Sequence, residues 1–288
     1  MQRLPREAWL PLATAHAARV DELTAQAVER KRRGIKHPTE DFLWHYYFLR
    51  PTQMRRWHPG LSVALESAPE YRDIRGYTVD DDDTAVVDAE FIDAHRSSWQ
   101  PIAELLSAVS GREPRFGCSA LHEWAMVYGL AQDEVRHEQL PLRLSPAAIA
   151  EVVESGLLRC THYDAFRFYT ISARPLNPWQ LTRESQVEFE QGACLHANMD
   201  LYKWAYKLLP VVSSELLLDC FNLAKQARTL DMQASPYECR DFGIEPIAVE
   251  TPEGREAFAA RQRVIASEAV VLRERLLAVL TQVLEPVR

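Results

Sequence analysis

Four short strings set imidazoles and carboxylates among apolar and aromatic residues. They are Leu121-His122-Glu123-Trp124, Arg136-His137, Cys160-Thr161-His162-Tyr163-Asp164, and Cys194-Leu195-His196-Ala197-Asn198-Met199-Asp200. Eight of the nine histidines fall between positions 37 and 196, and residues 197–288 carry none. Imidazoles and carboxylates beside aromatic rings are the groups that bind metals, move protons and hold flat ligands.

The spacing within these strings narrows the chemistry. His196 and Asp200 stand four apart in a stretch predicted helical, so they share a face. Such a pair binds one metal ion, or the carboxylate orients the imidazole as a general base. Asp41 and His45 repeat the spacing on a helix rich in rings: Trp44, Tyr46, Tyr47 and Phe48. His122 and Glu123 are neighbours, about 100° apart on a helix, so one of them at a time aims at a given point. Met126 stands where the second histidine of H-E-x-x-H would be, which excludes a zincin. Glu123 within an apolar helix is expected to carry a raised pKa, suited to acid or base catalysis. In His162-Tyr163-Asp164, an extended backbone turns His162 and Asp164 to one side. That echoes the ligand pair of non-haem iron enzymes, which need a distant second imidazole such as His122 or His196.

Glu123, Asp164, Asp200 and His196 are therefore the catalytic candidates. His122, His162 and His196 are the candidate ligands for a divalent iron, manganese or zinc ion. A shared ion requires these imidazoles to converge within about 6 Å, because ligand bonds run near 2 Å. Trp124, Tyr163, Arg167, Asn198, Tyr202 and Trp204 are the candidate contacts for a small aromatic or nucleobase-type substrate. The single histidines His58, His95 and His137 read as scaffold, and His16 as exposed.

The elements that must position these residues are mostly helices. Periodicity, caps and breakers predict helices over 6–33 (stopped by Gly34), 39–49, 88–109, 119–129, 149–155, 186–208, 213–232 and 252–286. Strands are expected within 74–79 and within 158–169, and the run Asp80 to Asp83 is expected to be an exposed loop. The fold class is mainly α: one helical domain over 1–288 with a small central strand or hairpin. Its parts are an N-terminal helix with a basic end (1–36), a site-bearing core (37–250) and a C-terminal helix (251–288).

Composition excludes several classes. At 288 residues and 47% hydrophobic, the chain buries a sizeable core. No apolar run reaches the roughly 18 residues of a membrane span, and the first residues lack a signal peptide's apolar stretch. The expectation is a cytoplasmic protein without membrane contact. Five cysteines, an odd number with no C-x-x-C pair, indicate reduced thiols. A net charge of −8 opposes general nucleic-acid binding. A local strip remains a candidate phosphate or nucleic-acid contact: Arg30, Lys31, Arg32, Arg33 and Lys36, followed by Arg55 and Arg56. Walker A, G-x-G-x-x-G, G-x-S-x-G and zinc-deaminase signatures are absent.

Longer strings add a resemblance. Phe116-Gly117-Cys118, Leu121 through Tyr128, Cys160 through Phe168 and His196 through Trp204 resemble an actinobacterial family of 3-methyladenine DNA glycosylases. His37 through Phe42 and Arg50 through Gly60 extend the likeness to roughly residues 37–254. The resemblance implies a DNA-repair hydrolase that cleaves the N-glycosidic bond of an alkylated or modified purine, in DNA or in a nucleoside or nucleotide. The chain has neither the Leu-Pro-Gly-Val-Gly-type hairpin of helix-hairpin-helix glycosylases nor the cysteine and histidine zinc site of the bacterial type I enzyme. No catalytic residue transfers from those enzymes. On general chemistry, Asp200, Asp164 or Glu123 would stabilise an oxocarbenium-like charge or activate water, and Trp124, Tyr163 and Trp204 would hold the base. Two other readings compete. One is a metal-dependent enzyme such as a non-haem iron oxygenase, with ligands from His122, Glu123, His162, Asp164, His196 and Asp200. The other is a non-catalytic ligand-binding protein with a buried polar network.

Overall fold

The structure is a computed structural model that describes residues 1–47, 49–135 and 139–285. Phe48 and the Arg136-His137 string lie outside the described residues. In chain order the elements are β1 (Gln2–Leu4), α1 (Arg6–Arg33), α2 (Glu40–Tyr47), α3 (Pro51–Met54), β2 (Val63–Leu65), β3 (Tyr77–Val79), β4 (Ala85–Val87), α4 (Ala89–Ser110), α5 (Leu121–Ala125), α6 (Pro146–Glu154), α7 (Tyr163–Phe166), α8 (Gln186–Phe189), α9 (Leu195–Lys207), α10 (Ser214–Gln233) and α11 (Pro252–Leu284). The fold is mainly α, as predicted, and its strands form a small four-stranded sheet in the order β1-β2-β4-β3. Among the described residues no helix is long and apolar enough to cross a membrane.

Local chemistry accounts for the boundaries. Gly34 takes φ 68° and its N–H closes on the Arg30 and Lys31 carbonyls, ending α1 in the left-handed turn that glycine adopts most freely. The acidic run is the turn of the β3–β4 hairpin: Asp80 Oδ1 accepts from the amides of Asp82 (3.0 Å) and Thr84 (2.7 Å). Three expectations fail. The stretch 158–169 contains no strand; His162 caps the short helix α7 instead, its Nδ1 accepting the Ala165 N–H. His162 and Asp164 therefore do not share an extended face. The helix expected over 186–208 is broken into α8 and α9, leaving Glu190 to Cys194 as connecting chain. The helix expected over 119–129 shrinks to α5, entered through Ser119 (φ 46°) and Ala120 (φ 54°). Two consecutive non-glycine residues in that region are uncommon and strained.

The chain divides into two compact units that cut across the segments read from sequence. The first comprises Met1–Glu104, Leu201–Asn222 and the chain from Leu272 onward. It holds the sheet and an aromatic core in which Tyr202 packs edge-on to Tyr47 (5.5 Å between ring centroids) and Phe221 (5.3 Å). His16, expected to be exposed, is buried here, and its Nε2 meets the Met54 carbonyl at 2.8 Å. It falls on the inward stripe of α1 with Trp9, Val20, Thr24 and Ala27, so the helical period buries it. The second unit comprises Leu105–Asp200 and Leu223–Val271 and carries the described polar strings.

Candidate functional site

Within the second unit, α5, α9 and α10 bring three groups together. The ligand atoms of His122, His196 and Asp231 all lie within 4.8 Å of one another, and all three residues are buried. His122 Nε2 is 2.7 Å from Asp231 Oδ1. The His122 and His196 rings meet edge-on at 4.5 Å, and the His162 and His196 rings lie 5.3 Å apart with planes 27° from parallel. The imidazoles of three separate sequence strings thus converge.

A fully buried ion-pair chain supports the trio. Arg228 Nη1 lies 2.7 Å from both Glu123 Oε1 and Asp231 Oδ2. Burial opposes the charge on Arg228, yet the two carboxylates outweigh it and hold the guanidinium as a cation. Burial also opposes the charge on His122, but contact with Asp231 lifts its pKa well above the ordinary value. Burial pushes Asp231 up, and the attraction of His122 and further cationic neighbours wins and draws it below the usual range. His196 differs: burial, then the neighbouring His122 charge, lower its pKa far below that of free histidine. It is the neutral imidazole of the group, with one ring nitrogen's lone pair available to a ligand.

Asp200 and His196 share a face of α9 as their spacing requires, but Asp200 does not orient His196 as the general-base reading had it. Its Oδ2 is 3.5 Å from His162 Nε2, and Glu190 Oε1 is 3.4 Å from the same nitrogen. Because His162 Nδ1 accepts the Ala165 N–H (3.3 Å), the ring proton of the neutral imidazole rests on Nε2, facing these carboxylates. His162 is placed as a donor beside the trio. Glu123 is not the isolated buried acid expected from sequence, since its carboxylate is the partner of Arg228.

The remaining candidates are dispersed. Asp164 is held by Arg167 (3.0 Å) and Arg183 (2.9 Å), and Arg183 also covers the Tyr163 ring. Trp124 is fully buried and donates from Nε1 to the Ala234 carbonyl, a packing role. Asn198 Nδ2 donates to the Gly192 carbonyl and secures the chain entering α9. Tyr202 and Trp204 belong to the first unit, where Lys203 and Lys207 flank the Trp204 ring. Asp41 accepts from the His37 amide, while His45 bonds the Asp41 backbone carbonyl, so that pair never meets side chain to side chain. In the basic strip Arg30 pairs with Glu40, Arg32 with Glu29 (2.9 Å) and Arg55 with Asp21 (2.8 Å). Lys31, Arg33, Lys36 and Arg56 are exposed.

A narrow cleft opens beside the trio, lined by His122, His196, Cys118, Cys160, Cys194 and Gln262 among others, with room for about one water molecule. Burial pushes the Cys160 thiol up to about 11 and that of Cys194 well above its ordinary value, so both stay protonated and unreactive. Ala120 lines the same cleft, so the left-handed entry to α5 is part of the site wall.

Asp231, Arg228, Glu190 and Gln262 are site residues that reading the strings did not single out. A signal for three of them exists. Arg228 and Asp231 fall on the inward stripe of α10 with Cys220, Ala224 and Ala227, and Gln262 falls on that of α11 between Phe258 and Ile265. A charged or amide residue at a position where the helical period demands an apolar one must be partnered or functional. Glu190 carries no such signal, because it lies in connecting chain. Compared with protein-family models, curated proteins and solved structures, the chain finds no match in any of the three.

Proposed function

We propose that this chain is a metal-dependent enzyme whose ion is held by His122, His196 and Asp231. The observation that carries the reading is the convergence of two imidazoles and one carboxylate, buried, with ligand atoms within 4.8 Å of one another. That donor set is the one used by non-haem iron(II) enzymes, which keep further coordination positions open for reactants, and zinc or manganese are its nearest competitors. The proton shared by His122 and Asp231 across 2.7 Å occupies the place an ion would take, since ligands shed protons to bind metal. Arg228 would hold the far oxygen of Asp231 and fix its orientation, as outer-shell partners of metal-bound carboxylates do. His162, its Nε2–H turned to Glu190 and Asp200, would tie those two carboxylates to the edge of the site.

N-glycosidic cleavage of a modified purine asks for more. Glu123 and Asp164 are each neutralised by arginine, and a cleft sized for one water must widen before a purine enters. Metal analysis decides. Protein purified anaerobically and reconstituted with ferrous iron, manganese or zinc is expected to retain one ion per chain, lost in His196→Ala and in Asp231→Asn. A folded wild-type protein that retains none under any of the three conditions overturns the reading. Base release from alkylated DNA by that metal-free protein would favour the glycosidase.

A further inference from the structure

Gln262 is 2% exposed and lines the cleft beside His122 and His196. Its Nε2 donates to the Ala193 carbonyl at 2.7 Å. That bond fixes the amide's orientation, because the flipped form would set oxygen against oxygen. The other end is then an acceptor, and no hydrogen bond reaches Oε1. A buried amide oxygen is costly to leave without a donor. The cleft beside it admits something the size of water. The nearby thiols are weak donors, and no hydrogen bond from the cleft-lining His122 or His196 reaches that oxygen.

We infer that Gln262 Oε1 is the acceptor that holds and selects the molecule occupying this cleft. That molecule is a ligand of about one or two heavy atoms bearing an O–H or N–H, taken in preference to small acceptor-only molecules such as azide or dioxygen. The subsite stands on Gln262 and the cleft alone. Its meaning for the reaction rests on the metal reading: a donor-bearing ligand such as water, held beside the ion, would favour hydrolytic over oxygenating chemistry.

Hydroxylamine, which carries donor hydrogens, and azide, which carries none, are the probes. Each is titrated into metal-free and cobalt(II)-loaded protein. Binding is read from the Gln262 side-chain amide resonance and, with cobalt, from the visible spectrum. Gln262→Met is expected to weaken hydroxylamine about tenfold while changing azide less than about twofold, the loss of roughly one hydrogen bond. Gln262→Glu is expected to restore hydroxylamine binding, because a protonated carboxyl keeps a donor for Ala193 and an acceptor for the ligand. Equal changes for both probes, or none for either, overturn the inference. Should Gln262→Met not fold, a wild-type amide shift with hydroxylamine and not with azide supports it, and the reverse sinks it. If the chain takes up no metal yet hydroxylamine still shifts the Gln262 amide, the subsite stands and the metal reading falls. If neither happens, both fall.

Discussion

Two buried histidine environments, one in each unit, have opposite electrostatics. In the first unit, His58 stacks on Tyr77 and its Nδ1 lies 3.1 Å from the phenol oxygen. Burial, with smaller contributions from Arg56 and His16, lowers the pKa of His58 to about 3. Burial also raises that of Tyr77, so the phenol keeps its proton and donates. In the second unit, His122 is just as enclosed but touches Asp231, which Arg228 and Glu123 hold in place, and its pKa is raised. Burial is common to both. A neutral partner leaves the imidazole neutral, and a buried carboxylate overrides desolvation. The first arrangement satisfies two polar groups inside an aromatic core. The second concentrates charge of both signs, and a chain does that at a cost which packing alone does not require.

The largest effect expected from breaking this contrast is at Arg228. Arg228→Met leaves Glu123 buried without its cation, with Asp231 keeping only His122, and is expected to lower unfolding stability by about 3–5 kcal/mol, read from urea denaturation. A loss under about 1 kcal/mol would mean that the chain of charges is hydrated and that the two regions differ less than their geometry indicates. An effect of comparable size, but developed only as pH falls, is expected at His58. Its folded pKa lies below the unfolded value near 6.5, so the unfolded state alone takes up the proton as pH falls. The contribution of His58 is therefore lost between about pH 6.5 and 3, at about 1.4 kcal/mol per pH unit. Stability curves of the wild type and His58→Asn measured from pH 7 to 4 should converge with that slope; parallel curves would show that His58 is not held neutral. The smallest effect is expected at the surface, where Arg55 and Asp21 are both more than half exposed. Arg55→Ala should leave the urea midpoint unchanged.

Much of the helical frame was legible in the sequence, because helix limits depend on local chemistry. Gly34 stops α1, and the predicted limits of α4, α10 and α11 fall within one or two residues of those observed. The hairpin turn was visible as an acidic loop, though not as the side-chain-to-amide bonds that shape it. The breaks around the site were not legible. The string from 186 to 208 has helical composition, yet it is interrupted so that Glu190 faces His162. The Ser119-Ala120 entry adopts backbone angles that neither residue favours and that only surrounding contacts hold.

Residue type and periodicity thus determined the mainly helical class, the helix stripes and the histidines His122, His162 and His196 as a set worth testing for convergence. Tertiary structure alone decided their partners. Asp231 and Arg228 come from α10, more than a hundred residues from His122 and Glu123, and local spacing carries no information about such contacts. It also decided that Asp164 belongs to a pair of arginines, and that Asp200 serves His162 instead of its helical neighbour His196. An i,i+4 spacing states that two side chains leave a helix on one face. Which groups they meet depends on the elements packed against that face.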